Sequence, residues 1–203
     1  MIAKAASKSL EFHVNRHVEG MAEALDLVLT AGMRAKLDRL QGWLATEAVI
    51  AGGLGPGEAG HIEERHLADS LLYAAGWPAP PSACVDLGSG VGLPGLVLAV
   101  VWPVTRFTLL DRSQRRCDLA RRAVRITAIE AEVVQGEIFE QTGPWMAVVS
   151  RATIPARQFA PLLDSILSPG GRAVVSGDGS VVEGFTNLKV LDQPTRLLMM
   201  QKS

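Results

Sequence analysis

The chain has 203 residues, 48% hydrophobic and 20% charged, which is enough apolar material for a buried core and excludes an intrinsically disordered protein. Twenty Lys and Arg against 21 Asp and Glu leave a net charge of −1, which excludes a uniformly basic nucleic-acid coat but not a local basic patch. Two cysteines, Cys84 and Cys117, neither of them in a Cys-x-x-Cys pair, exclude a disulfide framework. The length suits one domain, or one with a small appendage, at about 100–200 residues per domain. The longest apolar run, Leu93–Trp102, is broken by Pro94 and Gly95, and a membrane span needs about 20 apolar residues. The N-terminus lacks the apolar stretch of a secretory signal. A soluble, reduced, cytoplasmic protein is expected.

The first sixty residues read as helical. Met21, Leu25 and Val28 recur at helical spacing, followed by Leu37, Leu40 and Leu44. The run Gly52-Gly53-Leu54-Gly55-Pro56-Gly57 predicts a loop, and a helix follows over about Ile62–Ala75, ending at Gly76 and Pro78. From residue 83 the pattern alternates. Strands are predicted at Cys84–Leu87, Arg106–Leu110, Glu132–Gln135, Met146–Ser150 and Arg172–Ser176; helices start at Pro94, span Ser113–Thr127 and cross Gln158–Leu167. Such alternation predicts an α/β fold, a doubly wound parallel sheet with helices on both faces. The last two strands, Leu188–Leu191 and Arg196–Met200, read as an antiparallel pair closing the sheet. Residues 1–60 are expected to form a helical cap and 61–203 the main domain.

The strongest local signal is Val85-Asp86-Leu87-Gly88-Ser89-Gly90-Val91-Gly92-Leu93-Pro94-Gly95. A buried strand ends in an acid, alternating glycines follow, and a proline stands where a helix starts. Gly90-x-Gly92-x-x-Gly95 formally fits a dinucleotide fingerprint. The glycines begin at Gly88, however, and Asp86 would face a pyrophosphate with a carboxylate. The same carboxylate favours a ligand with a cationic amino-acid end, which points to S-adenosylmethionine over NAD. A ligand-free strand–helix turn is the bland alternative. Asp111 closes the second strand about 20 residues on, where an acid accepts hydrogen bonds from ribose hydroxyls; taken alone it also suits a helix N-cap.

At this point the sequence resembles the bacterial GidB/RsmG methyltransferases. The resemblance rests on Arg65-His66-Leu67-Ala68-Asp69-Ser70, the run Asp86–Gly95, Phe107–Asp111 with Arg115-Arg116, and Ser150-Arg151-Ala152, in matching order and spacing from about residue 35 to the end. It implies a seven-stranded class I methyltransferase fold (Rossmann-like, with an antiparallel last strand) and an N-terminal helical cap. It also implies transfer of methyl from S-adenosylmethionine to guanine N7 of 16S rRNA in the small ribosomal subunit. By matching motif, Gly88 and Leu93 would line the donor's methionine end, Ile138 and Phe139 would flank its adenine, and Arg151 would close the site; Asp86, Ser89, Gly90, Asp111 and Arg112 are expected at the donor as well. The chain departs from the family in three places. The glycine-rich stretch 52–57 replaces an Asn-Leu-Thr segment, Ser176-Gly177 stands where a Lys-Gly is usual, and Glu137 and Phe139 stand where Arg and Glu are usual.

Between Arg112 and Arg125 six arginines face one acid, Asp118, a local charge of +5. Arg115, Arg116, Arg122 and Arg125 are candidates for RNA phosphates, pointing away from Gly88 and Asp111; a solvated helix face is the equal alternative. His66 is placed near the substrate with Asp69 one turn on to orient it, a helix-packing hydrogen bond being the plainer reading. His13 and His17 have metal-compatible spacing without a supporting acid or Cys cluster, so no metal is expected. Guanine N7 carries a free lone pair, so the reaction needs positioning and electrostatic support rather than a base, and no catalytic residue is singled out. Two other functions fit the same residues: methylation of another RNA or a small molecule, and donor binding without catalysis. A continuous basic groove would favour RNA, and a closed apolar pocket a small molecule.

Overall fold

The computed structural model describes residues 17–203. His13, and with it the His13–His17 spacing and the leader reading, lies outside the described residues. The chain enters through α1 (Val18–Ala24), which is shorter than the Met21–Leu25–Val28 spacing predicts. Asp26 turns into the left-handed region (φ 53°), ending the helix before Val28, which is left 83% exposed. Thr30 caps α2 (Ala31–Trp43), its hydroxyl accepting from the Met33 amide at 3.2 Å. A wider π-helical turn, Leu44–Ala48, continues α2. Leu37, Leu40 and Leu44, the predicted stripe, are all buried.

After the glycine-rich loop a single helical path runs to Gly76. It is π-wound over Glu63–Ala68, α-helical over α3 (Asp69–Leu71) and tightens to 3-10 over Leu72–Gly76. The alternating region follows as β1 (Ala83–Leu87), α4 (Gly95–Val101), β2 (Arg106–Asp111), α5 (Gln114–Thr127), β3 (Glu132–Gln135), β4 (Trp145–Ser150) and α6 (Ala156–Ile166). The chain ends in β5 (Leu167–Ser176), β6 (Thr186–Val190) and β7 (Gln193–Gln201). Only a 3-10 turn, Ile138–Glu140, joins β3 to β4.

The seven strands lie in the order β3-β2-β1-β4-β5-β7-β6, with β7 antiparallel to both neighbours and the rest parallel. This is the sheet that the resemblance implies. β5 begins earlier than predicted because Leu167 already pairs with Trp145; a bulge then takes up the Ser-Pro-Gly-Gly segment before Arg172 pairs with Ala147. Side chains alternate between two cores. Leu109 joins the layer of α4, α5 and the N-terminal helices, and Leu110 joins the layer of α6 with Phe159 and Leu163. Burial on both faces is what a covered parallel sheet requires. Strand order reverses between β1 and β4, and ligands of open α/β sheets collect beyond the carboxyl ends of the strands at such a point.

Candidate functional site

A cavity of about 530 Å³ opens at that point. Its floor is the turn after β1. Gly88, Gly90 and Gly92 all have positive φ (73°, 59° and 99°), a run that only glycines adopt cheaply. The amides of Gly88 and Ser89 donate to the Leu110 carbonyl (2.8 and 2.9 Å), which clamps the turn to β2. The three glycines of the dinucleotide spacing, Gly90, Gly92 and Gly95, differ in use. A Cβ on Gly90 would meet nothing within 4 Å, whereas one on Gly92 would strike Leu96 at 2.4 Å and one on Gly95 would strike Leu109 at 2.4 Å. Gly90 therefore keeps space open, while Gly92 and Gly95 serve packing. In a dinucleotide fingerprint the middle glycine approaches the pyrophosphate; here Gly92 is packed under a leucine and absent from the cavity wall.

The two acids part ways. Asp111 lines the cavity. Its Oδ2 accepts from the Gly90 amide and its Oδ1 from the Ser113 amide, both at 2.9 Å, and Arg116 Nη1 stands 3.7 Å from Oδ2. A carboxylate offers about four acceptor positions, so two are left for a ligand. The cap of α5 is Ser113, not Asp111: its hydroxyl accepts from the Arg116 amide at 3.4 Å. Asp86 does not reach the cavity wall. It is fully buried beneath the turn, with Oδ2 accepting from the Gly95 amide at 2.7 Å. Burial pushes its carboxyl up to about 7, against the pull of the Gly95 amide and the Arg151 charge. Its Oδ1 is buried without a partner, as is Ser89 Oγ, which belongs to the cavity wall. Buried polar atoms seldom stay unpaired, and Ser89 Oγ, on the cavity wall, marks where a polar group of a ligand fits.

The opposite wall comes from the ends of β3 and β4. Ile138 is 8% exposed, and Phe139 stands 60% exposed beside it. Such an aromatic face at a cavity rim suits a nucleobase. Arg151 lines the cavity directly after β4. Its guanidinium pairs with neither Asp86 nor Glu137. Nη2 lies 3.2 Å from His66 Nδ1, and Nη1 lies 3.9 Å from Asp69 Oδ2. The imidazole is held by Glu58, at 3.0 Å from Nε2. His66 therefore stands behind Arg151 and not on the cavity wall.

Ser176, at the position where the family has Lys, is structural. Its Oγ accepts from the Ala152 amide at 2.9 Å and lies 3.0 Å from the Tyr73 hydroxyl, which also donates to the Ser150 carbonyl at 3.3 Å. Burial pushes the Tyr73 phenol well above its ordinary value, so it stays a neutral donor. These bonds fix the turn that presents Arg151.

The arginine stripe of α5 is not one uniform face. Arg116 points toward Asp111 and lines the cavity with Arg112, correcting the expectation that it faces away. Arg115 donates to the Ala51 carbonyl and Arg122 pairs with Glu47, so both brace α5 against the N-terminal helices. Arg125 is exposed at the last turn. The sequence reading missed Gly53, Leu54, Thr153 and Ile154 on the cavity wall. Thr153 follows the recognised Ser-Arg-Ala and has a positional signal. Gly53 has none, since its place depends on close packing against Val91, 2.4 Å from where a Cβ would be. Among the described residues, no cluster of three His, Cys, Asp or Glu has metal-site geometry, and no helix is long and apolar enough to cross a membrane. His17 instead lies 3.1 Å from Glu63.

Comparison with known proteins agrees with this geometry. The family described as GidB, rRNA small subunit methyltransferase G, matches residues 33–180. A protein of Mycolicibacterium gilvum (strain PYR-GCK) named ribosomal RNA small subunit methyltransferase G is 34% identical over 146 residues, covering 69% of this chain and 64% of that one. One of the same name from Mycobacterium marinum (strain ATCC BAA-535 / M) is 36% identical over 181 residues, covering 85% and 79%. The chain spans 54 to 64% of the length of the first curated relatives it matches. Among solved structures, coclaurine N-methyltransferase bound to N-methylheliamine and SAH superposes with a TM-score of 0.50 at 17% identity, over 57% of this chain and 36% of that one. That likeness, with the sheet order and antiparallel β7, gives the fold as class I methyltransferase. A match across most of the chain, carrying the glycine turn, Asp111 and Arg151 within it, shows that the chain belongs to the GidB family of rRNA small subunit methyltransferases.

Proposed function

We propose that this chain is an S-adenosylmethionine-dependent methyltransferase acting on guanine N7 of 16S rRNA in the small ribosomal subunit. The observation that carries the reading is the gathering of Gly88, Ser89, Gly90, Leu93, Asp111, Arg112, Ile138, Phe139 and Arg151 around one cavity. The unpartnered Ser89 Oγ and the open space over Gly90 fit the methionine end of the donor. The remaining acceptor positions of Asp111 fit the ribose, and Phe139 fits the adenine face. Asp86 acts from below, through its charge and its hold on Gly95, rather than by touching the ligand. When bound, the donor supplies an electrophilic methyl carbon for the guanine lone pair. The chain's part is to exclude water and orient both partners, which requires no proton-abstracting side chain. Residues 1–60 serve in this reading as a cap whose loop contributes Gly53 and Leu54 to the cavity wall. The test is methyl transfer from labelled donor to isolated 30S subunits, naked 16S rRNA and a metabolite extract. Label in 16S rRNA supports the reading; label only in the extract replaces it with a small-molecule methyltransferase.

Asp111→Ala is expected to weaken S-adenosylhomocysteine binding by roughly 1.5–3 kcal/mol, the worth of hydrogen bonds to a charged group. The same change also strips the Gly90 and Ser113 amides of their acceptor, so the melting temperature falls too. Asp111→Asn, which keeps one acceptor oxygen, should recover part of both losses. Unchanged calorimetric affinity in folded Asp111→Ala would remove the ribose assignment.

For RNA, Arg112 and Arg125 are exposed cations of the stripe with no ion pair among the described residues, whereas Arg116 is drawn to Asp111. Replacing either with Gln should flatten the dependence of log affinity on log salt by about 0.7–0.9 for each phosphate that the variant no longer holds. Arg122→Gln should not, because Glu47 already neutralises that side chain. Filter binding of 16S rRNA fragments across a salt series reads this directly, and equal slopes in all three variants would make the stripe a solvated face.

A further inference from the structure

The glycine-rich loop and the Arg-His helix meet behind Arg151 in an arrangement that the donor reading does not use. Glu58 Oε2 lies 3.0 Å from His66 Nε2, and His66 Nδ1 lies 3.2 Å from Arg151 Nη2. A guanidinium only donates, so Nδ1 must carry its lone pair toward Arg151. The ring is then neutral with its proton on Nε2, which donates to Glu58. One tautomer satisfies all three groups, and the doubly protonated ring satisfies only two.

We propose that Glu58, His66 and Arg151 form a positioning line that holds the Arg151 guanidinium at the cavity wall and lets it go when the imidazole is protonated, so that methyl-donor binding weakens in acid. The proposal rests on the donor reading of the cavity. Protonation places an N–H at Nδ1 against an N–H of Arg151, replacing a hydrogen bond with contact between two cations. Both side chains are mostly buried (12 and 16% exposed), so water screens that contact poorly.

The surrounding charges come from every element packed there. Glu58 comes from the loop, Arg65 and Asp69 from the histidine's own helical path, and Arg151 from the end of β4. Arg65 Nη1 lies 3.3 Å from Glu58 Oε1 and keeps that carboxylate in place. Burial first, then the Arg151 charge, hold His66 below its ordinary 6.5, while Glu58 and Asp69 pull the other way. The hydrogen bond from His66 holds Glu58 below the usual carboxylate range. The line is thus intact at neutral pH and opens below the ordinary histidine range. Asp86, whose carboxyl burial pushes up to about 7, adds its own dependence.

The experiment is calorimetric binding of S-adenosylhomocysteine to the full chain between about pH 7.5 and about pH 5, a range in which histidine changes charge. Wild type, His66→Asn, His66→Leu and Glu58→Gln are compared. Asn keeps an acceptor on the Nδ1 side and cannot titrate. The wild-type affinity should fall severalfold more across this range than that of His66→Asn, up to about thirtyfold, the most that one proton on a group below 6.5 can cost at pH 5. The dependence caused by Asp86 is common to both and cancels. At neutral pH Asn should bind more tightly than Leu, and Glu58→Gln should move the acid limb to lower pH, which a merely structural contact would not do. The ¹⁵N shifts of the His66 ring in ligand-free protein give a second readout, with the Nε2–H tautomer expected at neutral pH. Superimposable profiles of wild type and His66→Asn, or an Nδ1–H ring, overturn the line while leaving the donor reading intact. Wild type that fails to bind at neutral pH overturns the donor reading and the gating with it.

Discussion

Gly95→Ala is expected to lower the stability of the fold by roughly 2–6 kcal/mol, a large share of the typical total of about 5–15. A Cβ at this position falls 2.4 Å from Leu109 Cδ2, 2.8 Å from Asp86 Oδ2 and 3.1 Å from Asp86 Cβ. Neither neighbour has anywhere to go: both are fully buried, and Leu109 belongs to the core between the sheet and α4. Pushing α4 outward instead stretches the 2.7 Å bond from the Gly95 amide to Asp86, the carboxylate's only hydrogen bond among the described residues. Overpacking costs about 1–3 kcal/mol and a loosened bond to a buried carboxyl costs about as much again. Gly90→Ala offers the contrast, five residues away in the same turn. Its φ of 59° charges a left-handed penalty of roughly 1–2 kcal/mol. The new methyl meets no protein atom within 4 Å, so the fold persists while the cavity loses room and S-adenosylhomocysteine affinity drops. Urea unfolding and calorimetry on the two variants separate the roles. Gly95→Ala as stable as wild type, or Gly90→Ala binding as tightly, would show that the turn is more pliant than its packing implies.

The parallel half of the sheet was legible because its signals are local. β3 occupies Glu132–Gln135 as the apolar run predicts, and α5 lies within one residue of its predicted start, where Ser113 supplies a cap. The misreadings have equally local causes. The Met21–Leu25–Val28 spacing is genuine, but Asp26 in the left-handed region ends the helix, and spacing carries no information about such a residue. At the other end, the Ser-Pro-Gly-Gly segment reads as a turn, yet a bulge lets β5 start before it.

The site was legible where a motif fixes a backbone position. Gly88, Gly90, Asp111 and Arg151 all reach one cavity because each ends a parallel strand or follows one, and those ends converge at the reversal of strand order. Side-chain direction was not legible. Asp86 and Asp111 lie near the ends of neighbouring strands, but Asp86 sits one residue before the end of β1 and points beneath the turn, while Asp111 closes β2 and faces the cavity. The same limit explains α5. Charge counting gave +5 over one helix but could not tell that Ala51 and Glu47 engage two of its arginines. Those partners lie 64 and 75 residues earlier in the chain, and only the packed fold brings them into reach.

Asp86→Asn is expected to remove most of a pH dependence of stability that wild type shows between about pH 4 and pH 7. The folded carboxyl is raised to about 7 by burial, from an ordinary value of 3.8. A group whose folded pKa is raised binds its proton more tightly in the folded state. The stability of wild type therefore declines as pH rises through the interval and levels off above it. A displacement of this size corresponds to a loss on the order of 4 kcal/mol when complete. Asn keeps an acceptor for the Gly95 amide and carries no charge, so the variant should match or trail wild type near pH 5, gain on it up to about pH 7 and hold that lead above it. His66 and Glu58 titrate in both proteins and do not affect the difference. Urea unfolding at intervals across the range measures the gap between the two profiles. A gap that opens between about pH 4 and pH 7 and then stays constant locates an ionisable group under the glycine turn. Parallel profiles would mean that Asp86 reaches solvent or a cation when the protein breathes, and that the turn is less closed than its packing against Leu96 and Leu109 implies.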